Sequence, residues 1–145
     1  MILKSKSVQD THDISEKLLN RTNPGTVFAL IGDLGTGKTT FAQGFAIALG
    51  VKSRVGSPTF KLVSEYDGRD YKLYHVDAYR LKNSNEFLNI GGEEYLISKN
   101  NYTLIEWADI IENILPKHTI KVEFSRSFDN KNNREIKITG LENEL

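Results

Sequence analysis

Residues 32–39 read Gly32-Asp33-Leu34-Gly35-Thr36-Gly37-Lys38-Thr39, and Thr40 follows. The spacing G-x-x-x-x-G-K-[ST] is that of a P-loop, a turn that wraps phosphate groups in backbone amides. Glycines let the chain curl so that consecutive N–H groups aim at phosphate oxygens. Lys38 places a point charge on the outer phosphates, and the Thr39 hydroxyl, one residue on, suits Mg²⁺. A helix starting here adds the partial positive charge of its N-terminus. The flanks argue against a plain glycine-rich turn. Thr26-Val27-Phe28-Ala29-Leu30-Ile31 is a short apolar, β-rich run, and residues 40–49 form a helical run that Gly50 can stop.

Phosphoryl chemistry also needs a second anchor for the metal and a group that orients the attacking water. In an open α/β sheet such groups stand at the carboxyl ends of strands beside the loop. Two segments fit: Tyr74-His75-Val76-Asp77 and Leu104-Ile105-Glu106. Spacing does not assign the two acids, and either also reads as a helix cap or as the partner of a base such as Arg80. His75 shares a strand face with Asp77. It reads equally as a proton carrier, a support for the acid, or a structural histidine. Arg80 either neutralises phosphate charge or forms a structural ion pair. Trp107, the single tryptophan, reads as a core or interface residue more readily than as a stacking platform, and its place beside Glu106 makes it a fluorescence reporter. Ser57-Pro58-Thr59-Phe60 sits where a nucleotide-sensing switch would lie; a turn fixed by Pro58 explains it equally well.

The elements that must hold these groups follow from periodicity and turn chemistry. A strand is expected over Ile2–Lys6, then a helix capped by Ser7 or Asp10 and running to about Leu19. Asn23-Pro24-Gly25 turns the chain into the P-loop strand. Strands over Lys61–Tyr66 and Tyr71–Val76 form a hairpin around Asp67-Gly68-Arg69-Asp70. Short helices broken by Gly91-Gly92 occupy residues 83–98. The strand ending at Glu106 precedes a helix over Asp109–Leu115, and Thr119–Phe124 with Arg134–Thr139 make a second hairpin. The expected class is α/β: a mixed central sheet of about seven strands flanked by helices, with antiparallel hairpins.

Composition bounds the rest. The chain has 145 residues, a size that suits one domain over residues 1–145. Nineteen basic and nineteen acidic residues give a formal net charge of zero, which argues against autonomous binding to a nucleic-acid backbone. There is no cysteine, hence no disulfide framework or thiolate metal site. The first residues lack a long apolar stretch, so a soluble cytoplasmic protein with no membrane partner is expected.

Taken together, Gly32–Thr40, Ser57-Pro58-Thr59-Phe60, His75-Val76-Asp77-Ala78-Tyr79-Arg80 and Glu106-Trp107 resemble the TsaE (YjeE) family, the small ATPases of bacterial tRNA threonylcarbamoyladenosine synthesis. The resemblance covers nearly the whole chain and keeps the order of all four motifs. It implies a P-loop NTPase fold, ATP and Mg²⁺ as cofactors, and two partner proteins, TsaB and TsaD, with tRNA met only through their complex. It implies that ATP hydrolysis supports or resets the transfer complex. Carried over by position, Asp33, Leu34, Gly35, Thr36, Gly37, Lys38, Thr39 and Thr40 cradle the nucleotide. Thr39 and Glu106 hold Mg²⁺, and Glu106, Asp77 and Lys38 are the catalytic candidates. Arg134, on the last hairpin, falls where family members often carry an arginine toward the nucleotide. Family members often have proline after the Glu-Trp pair; here Ala108 follows.

Two other readings compete. A small-molecule P-loop kinase needs arginines gathered over the phosphates, and the six arginines here are scattered. A non-catalytic nucleotide switch would keep partner activity without hydrolysis. A small GTPase is disfavoured, because Asn130-Lys131-Asn132-Asn133 lacks the aspartate of the guanine-reading pattern.

Overall fold

The continuous apolar run Val27–Ile31 suits a strand covered on both faces, and the sheet is built around it. The computed structural model describes residues 1–57, 61–142 and 145. The elements are β1 (Ile2–Ser5), α1 (Val8–Asn20), β2 (Val27–Ile31), α2 (Lys38–Leu49), β3 (Val63–Asp67), β4 (Lys72–Asp77), α3 (Ser84–Asn89), α4 (Glu93–Ile97), β5 (Asn101–Glu106), a 3-10 helix (Ala108–Ile114), β6 (Ile120–Arg126) and β7 (Arg134–Thr139). Among the described residues the strands form one seven-stranded sheet in the order β1-β7-β6-β2-β5-β4-β3. The β2–β5, β2–β6 and β4–β5 pairs are parallel. The β3–β4, β6–β7 and β1–β7 pairs are antiparallel. The mixed α/β sheet with hairpins agrees with the expectation from sequence.

Strand alternation divides the core between the two faces. Phe28, Leu30, Leu73 and Leu104 pack with Ile14 and Leu18 of α1 and Phe41 and Phe45 of α2. Val27, Ala29, Val76 and Ile105 pack on the other face with Phe87, Leu96 and Ile111. Phe45 anchors the first layer through edge contacts to Phe28 and Tyr102, at centroid distances of 5.1 and 5.5 Å. Among the described residues no helix is long and apolar enough to cross a membrane.

Of the two candidate caps, Ser7 starts α1: its hydroxyl accepts the Asp10 amide at 3.0 Å. Asp10 instead accepts the Lys6 amide at 2.9 Å. The hairpin strand expected from Lys61 begins at Val63, because Leu62 has a left-handed backbone with φ 68°. The helix expected over Asp109–Leu115 is a 3-10 helix over Ala108–Ile114 with a kink at Ile111. The chain enters it from a left-handed Trp107, and the i→i+3 turn lets it bend at once.

Where α1 crosses α2, Gly44 lets the helices touch. A Cβ there would lie 2.6 Å from Ser15 Oγ and 2.7 Å from His12 Cα. Gly44→Ala gains up to about 1 kcal/mol of helix propensity and loses about 1–3 kcal/mol to overpacking. Thermal unfolding is expected to show a net fall in Tm of a few degrees. An unchanged or raised Tm would mean that the helices separate freely.

Candidate functional site

The carboxyl end of β2 runs into Gly32, and α2 begins at Lys38 behind a left-handed Gly37 (φ 111°). The loop is pressed against β6: a Cβ on Gly32 would lie 2.6 Å from the Phe124 carbonyl oxygen. Thr36 is buried, and its hydroxyl donates to the Asp33 carbonyl at 2.6 Å, bracing the loop from within. The Lys38 ammonium donates to the carbonyls of Gly32 and Asp33, the latter at 2.8 Å. It also lies 4.3 Å from the centroid of the Trp107 ring. Burial lowers the Lys38 pKa from the ordinary lysine value, against the opposing pull of Glu106, Asp33 and Asp77.

Sheet order brings the acids to this loop. β5 lies between β2 and β4, with Glu106 opposite Leu30 on one side and opposite Asp77 on the other. The two strand-end carboxylates are therefore neighbours in register, and both are buried. Thr39 Oγ1 donates to Glu106 at 3.0 Å to Oε1 and 3.3 Å to Oε2. His75 is wholly buried, and its Nε2 lies 2.6 Å from Glu106 Oε2. Asp77 Oδ1 accepts the Tyr79 amide at 2.9 Å, and Oδ2 accepts the Ser57 hydroxyl at 3.2 Å. Ser57 thus ties the switch-like segment to the acid of β4; Pro58, Thr59 and Phe60 lie outside the described residues.

These groups line a cleft of about 570 Å³, within the size range of small-molecule sites. One wall is the P-loop from Leu34 to Thr40. Asp77, Glu106, Tyr79 and Trp107 line the cleft as well. Ser5, Ser7, Val8 and Thr11 from the β1–α1 junction line it together with Asn132 and Arg134 from the last hairpin, Ser5 being the register partner of Arg134. Arg134 Nη2 donates to the Gly35 carbonyl at 3.2 Å, and its Nη1 is held by the carbonyls of Lys131 and Asn133. Exposed Arg80 lies outside the cleft lining.

A family model described as "Threonylcarbamoyl adenosine biosynthesis protein TsaE" matches residues 5–136. The chain belongs to the TsaE family. The TsaE protein of Bacillus subtilis strain 168 is 38% identical over 135 residues, covering 93% of this chain and 82% of that protein. The TsaE protein of Borreliella burgdorferi is also 38% identical, over 128 residues, covering 88% and 90% of the two chains. Both relatives are named as tRNA threonylcarbamoyladenosine biosynthesis proteins. A crystal structure of YdiB from Bacillus subtilis superposes with a TM-score of 0.81 at 34% identity, over 97% of this chain and 85% of that one.

In this TsaE chain the donor set suits a hard divalent cation, because the hydroxyl of Thr39 and the carboxylate of Glu106 converge at a helix N-terminus. No group of three or more His, Cys, Asp or Glu side chains converges as a metal cage among the described residues.

Sequence reasoning missed the wall formed by Ser5, Ser7, Val8 and Thr11, and also Asn132 and Tyr79. No local pattern marks the first five as site residues, and Tyr79 stands inside the His75–Arg80 motif without a role read from it. The β1–β7 pairing and the β6–β7 hairpin deliver all but Tyr79 from the far edge of the sheet. Trp107 packs on the second core layer, as a core or interface residue would, and also lines the cleft. Its left-handed backbone (φ 58°, ψ 37°) is unusual for a bulky residue. It sets the ring over Lys38 and against Tyr79, 4.9 Å between centroids. Adding Mg²⁺–ADP is therefore expected to change Trp107 emission saturably. Unchanged emission at a nucleotide concentration that equilibrium dialysis shows to be saturating would exclude this ring from the binding site.

Proposed function

We propose that this chain is a Mg²⁺-dependent ATPase serving tRNA threonylcarbamoyladenosine modification, acting in the cytoplasm as a single P-loop domain with TsaB and TsaD. It meets tRNA only through that complex and uses hydrolysis to support or reset it between turnovers. The observation that carries the reading is the bond between Thr39 of the P-loop and Glu106 at the end of β5, beside Asp77 at the end of β4. Residues 33–40 and Arg134 hold the nucleotide, with Lys38 on the outer phosphates. Thr39 and Glu106 hold Mg²⁺, which neutralises developing phosphate charge when bound. Asp77 stands next to Glu106, where an attacking water is oriented. The preference for ATP over GTP comes from the family.

Turnover by the isolated chain is slow in this reading. Exposed Leu34 and Tyr79 border the cleft, so water reaches it until a docked partner covers it. The test is Mg²⁺-dependent ATP hydrolysis by this protein alone and with the purified TsaB–TsaD pair. Strong activation by the pair is expected. Equal turnover with and without a competent pair would overturn the partner assignment. A second reading, a nucleotide switch whose binding state alone matters, is favoured by the bond from Ser57 to Asp77. Retention of full partner activity by a hydrolysis-dead Glu106→Ala chain would select it.

A further inference from the structure

Glu106 reaches the cleft from the last position of β5, where a three-torsion side chain has several rotamers. Nothing in a strand end holds one of them. The structure supplies a holder from the next strand. His75 is fully buried on β4, on the same face as Asp77, and its Nε2 lies 2.6 Å from Glu106 Oε2. The shorter of the two Thr39 contacts goes to the other oxygen, Oε1, at 3.0 Å. The carboxylate is thus pinned at one oxygen and presents the other to the P-loop threonine. His75 Nδ1 is buried with no hydrogen-bond partner among the described residues. With no acceptor at Nδ1, a neutral imidazole keeps its one proton on Nε2, where the carboxylate accepts it. A buried polar atom left without a partner is uncommon and calls for a reason. Here the reason is the service done by the opposite nitrogen.

We propose that His75 is a positioning residue: its Nε2–H fixes the Glu106 carboxylate so that the second oxygen faces Thr39 and the cation those two residues hold. This rests on the reading of Glu106 and Thr39 as Mg²⁺-holding groups. His75 does not touch the nucleotide, and it is absent from the cleft lining. It acts as outer-shell partners of metal ligands do, and losing such a partner costs about 10–100-fold in metal affinity or activity.

The test measures ADP affinity by equilibrium dialysis with and without Mg²⁺ in the full chain and three variants. In wild type, Mg²⁺ is expected to tighten ADP binding. In His75→Leu that Mg²⁺-linked gain is expected to shrink about 10-fold or more, while Mg²⁺-free affinity stays within about twofold. Glutamine carries its amide nitrogen at nearly the reach of Nε2 and is expected to restore most of the gain. Asparagine is too short and is expected not to. The glutamine–asparagine contrast decides the matter even if His75→Leu fails to fold, since both replacements are polar. Equal loss in His75→Gln and His75→Asn, or a parallel loss of Mg²⁺-free affinity, would show a merely structural histidine. A full Mg²⁺-linked gain in folded His75→Leu would overturn the inference alone. A wild-type chain without any Mg²⁺-linked gain would overturn the underlying reading and the inference with it.

Discussion

Replacing Glu106 with alanine is expected to cut ATP hydrolysis at least about 10²-fold, with or without partner proteins. A held divalent ion contributes several kcal/mol of charge stabilisation to phosphoryl transfer, and each 1.4 kcal/mol or so is a factor of about ten. Among the described residues Glu106 is the carboxylate bonded to the P-loop threonine, so on the proposed reading its removal takes away one of the two side chains that hold the ion. Adenine nucleotide measured without Mg²⁺ is expected to bind nearly as before, because the amides of residues 33–40 and Lys38 remain. Glu106→Gln separates charge from shape. Its amide oxygen still accepts from His75 or Thr39, so the fold is kept, yet hydrolysis falls comparably. Global stability moves less than rate in Glu106→Ala. Stranding His75 Nε2 costs about 1–3 kcal/mol, and removing a buried carboxylate offsets part of that. Single-turnover hydrolysis beside calorimetric melting checks both halves. Wild-type turnover in either variant would remove Glu106 from the chemistry.

The parts of this arrangement that could be read from sequence are those encoded locally. Gly32 to Thr39 carries its own geometry, because glycine spacing and a Lys-Thr pair specify a loop and the helix behind it. Val27–Ile31 declares a strand buried on both faces. Asp77 and Glu106 declare themselves as acids closing apolar runs. What sequence did not contain is adjacency. Asp77 and Glu106 are 29 positions apart in the chain, and they become register neighbours only because β5 inserts between β2 and β4. The same order brings His75 against Glu106. Its contact with Glu106 spans parallel strands, and no spacing along one strand predicts it. The β1–α1 wall was illegible for a similar reason: Ser5 and Ser7 look like a strand end and a helix cap, which they also are. Their place at the cleft depends on β1 pairing with β7. The place of Trp107 over Lys38 was not legible, because periodicity assumes ordinary backbone. A left-handed residue between a strand and a 3-10 helix sets its ring against Lys38 and Tyr79 while it still packs on the core.

Lys38→Met is expected to weaken nucleotide binding at least about 10-fold at neutral pH, and wild-type affinity is expected to fall at alkaline pH sooner than an ordinary lysine would dictate. The ammonium faces two P-loop carbonyls and the Trp107 ring, and burial lowers its pKa despite Glu106 and Asp33 nearby. Phosphate oxygens need the protonated form. As pH rises through the lowered value, that form is lost and affinity declines, well before the usual lysine value of about 10.4. Stability runs the other way. A lysine whose folded pKa is depressed holds fewer protons folded than unfolded in the window between the lowered and the ordinary value. Its destabilising contribution is full below that window and is relieved as pH climbs through it. The difference between wild type and Lys38→Met isolates this from other titrating groups. Across the window, that difference is expected to move toward the wild type in thermal melts and away from it in ADP affinity. Lys38→Arg, which stays charged, is expected to show neither trend. Parallel pH profiles for wild type and Lys38→Arg would mean that the ammonium is not the group that titrates. Opposed trends in stability and affinity would tie the cost of burying this charge directly to the task it performs, since phosphate charge would add to carboxylates that do not by themselves offset the burial.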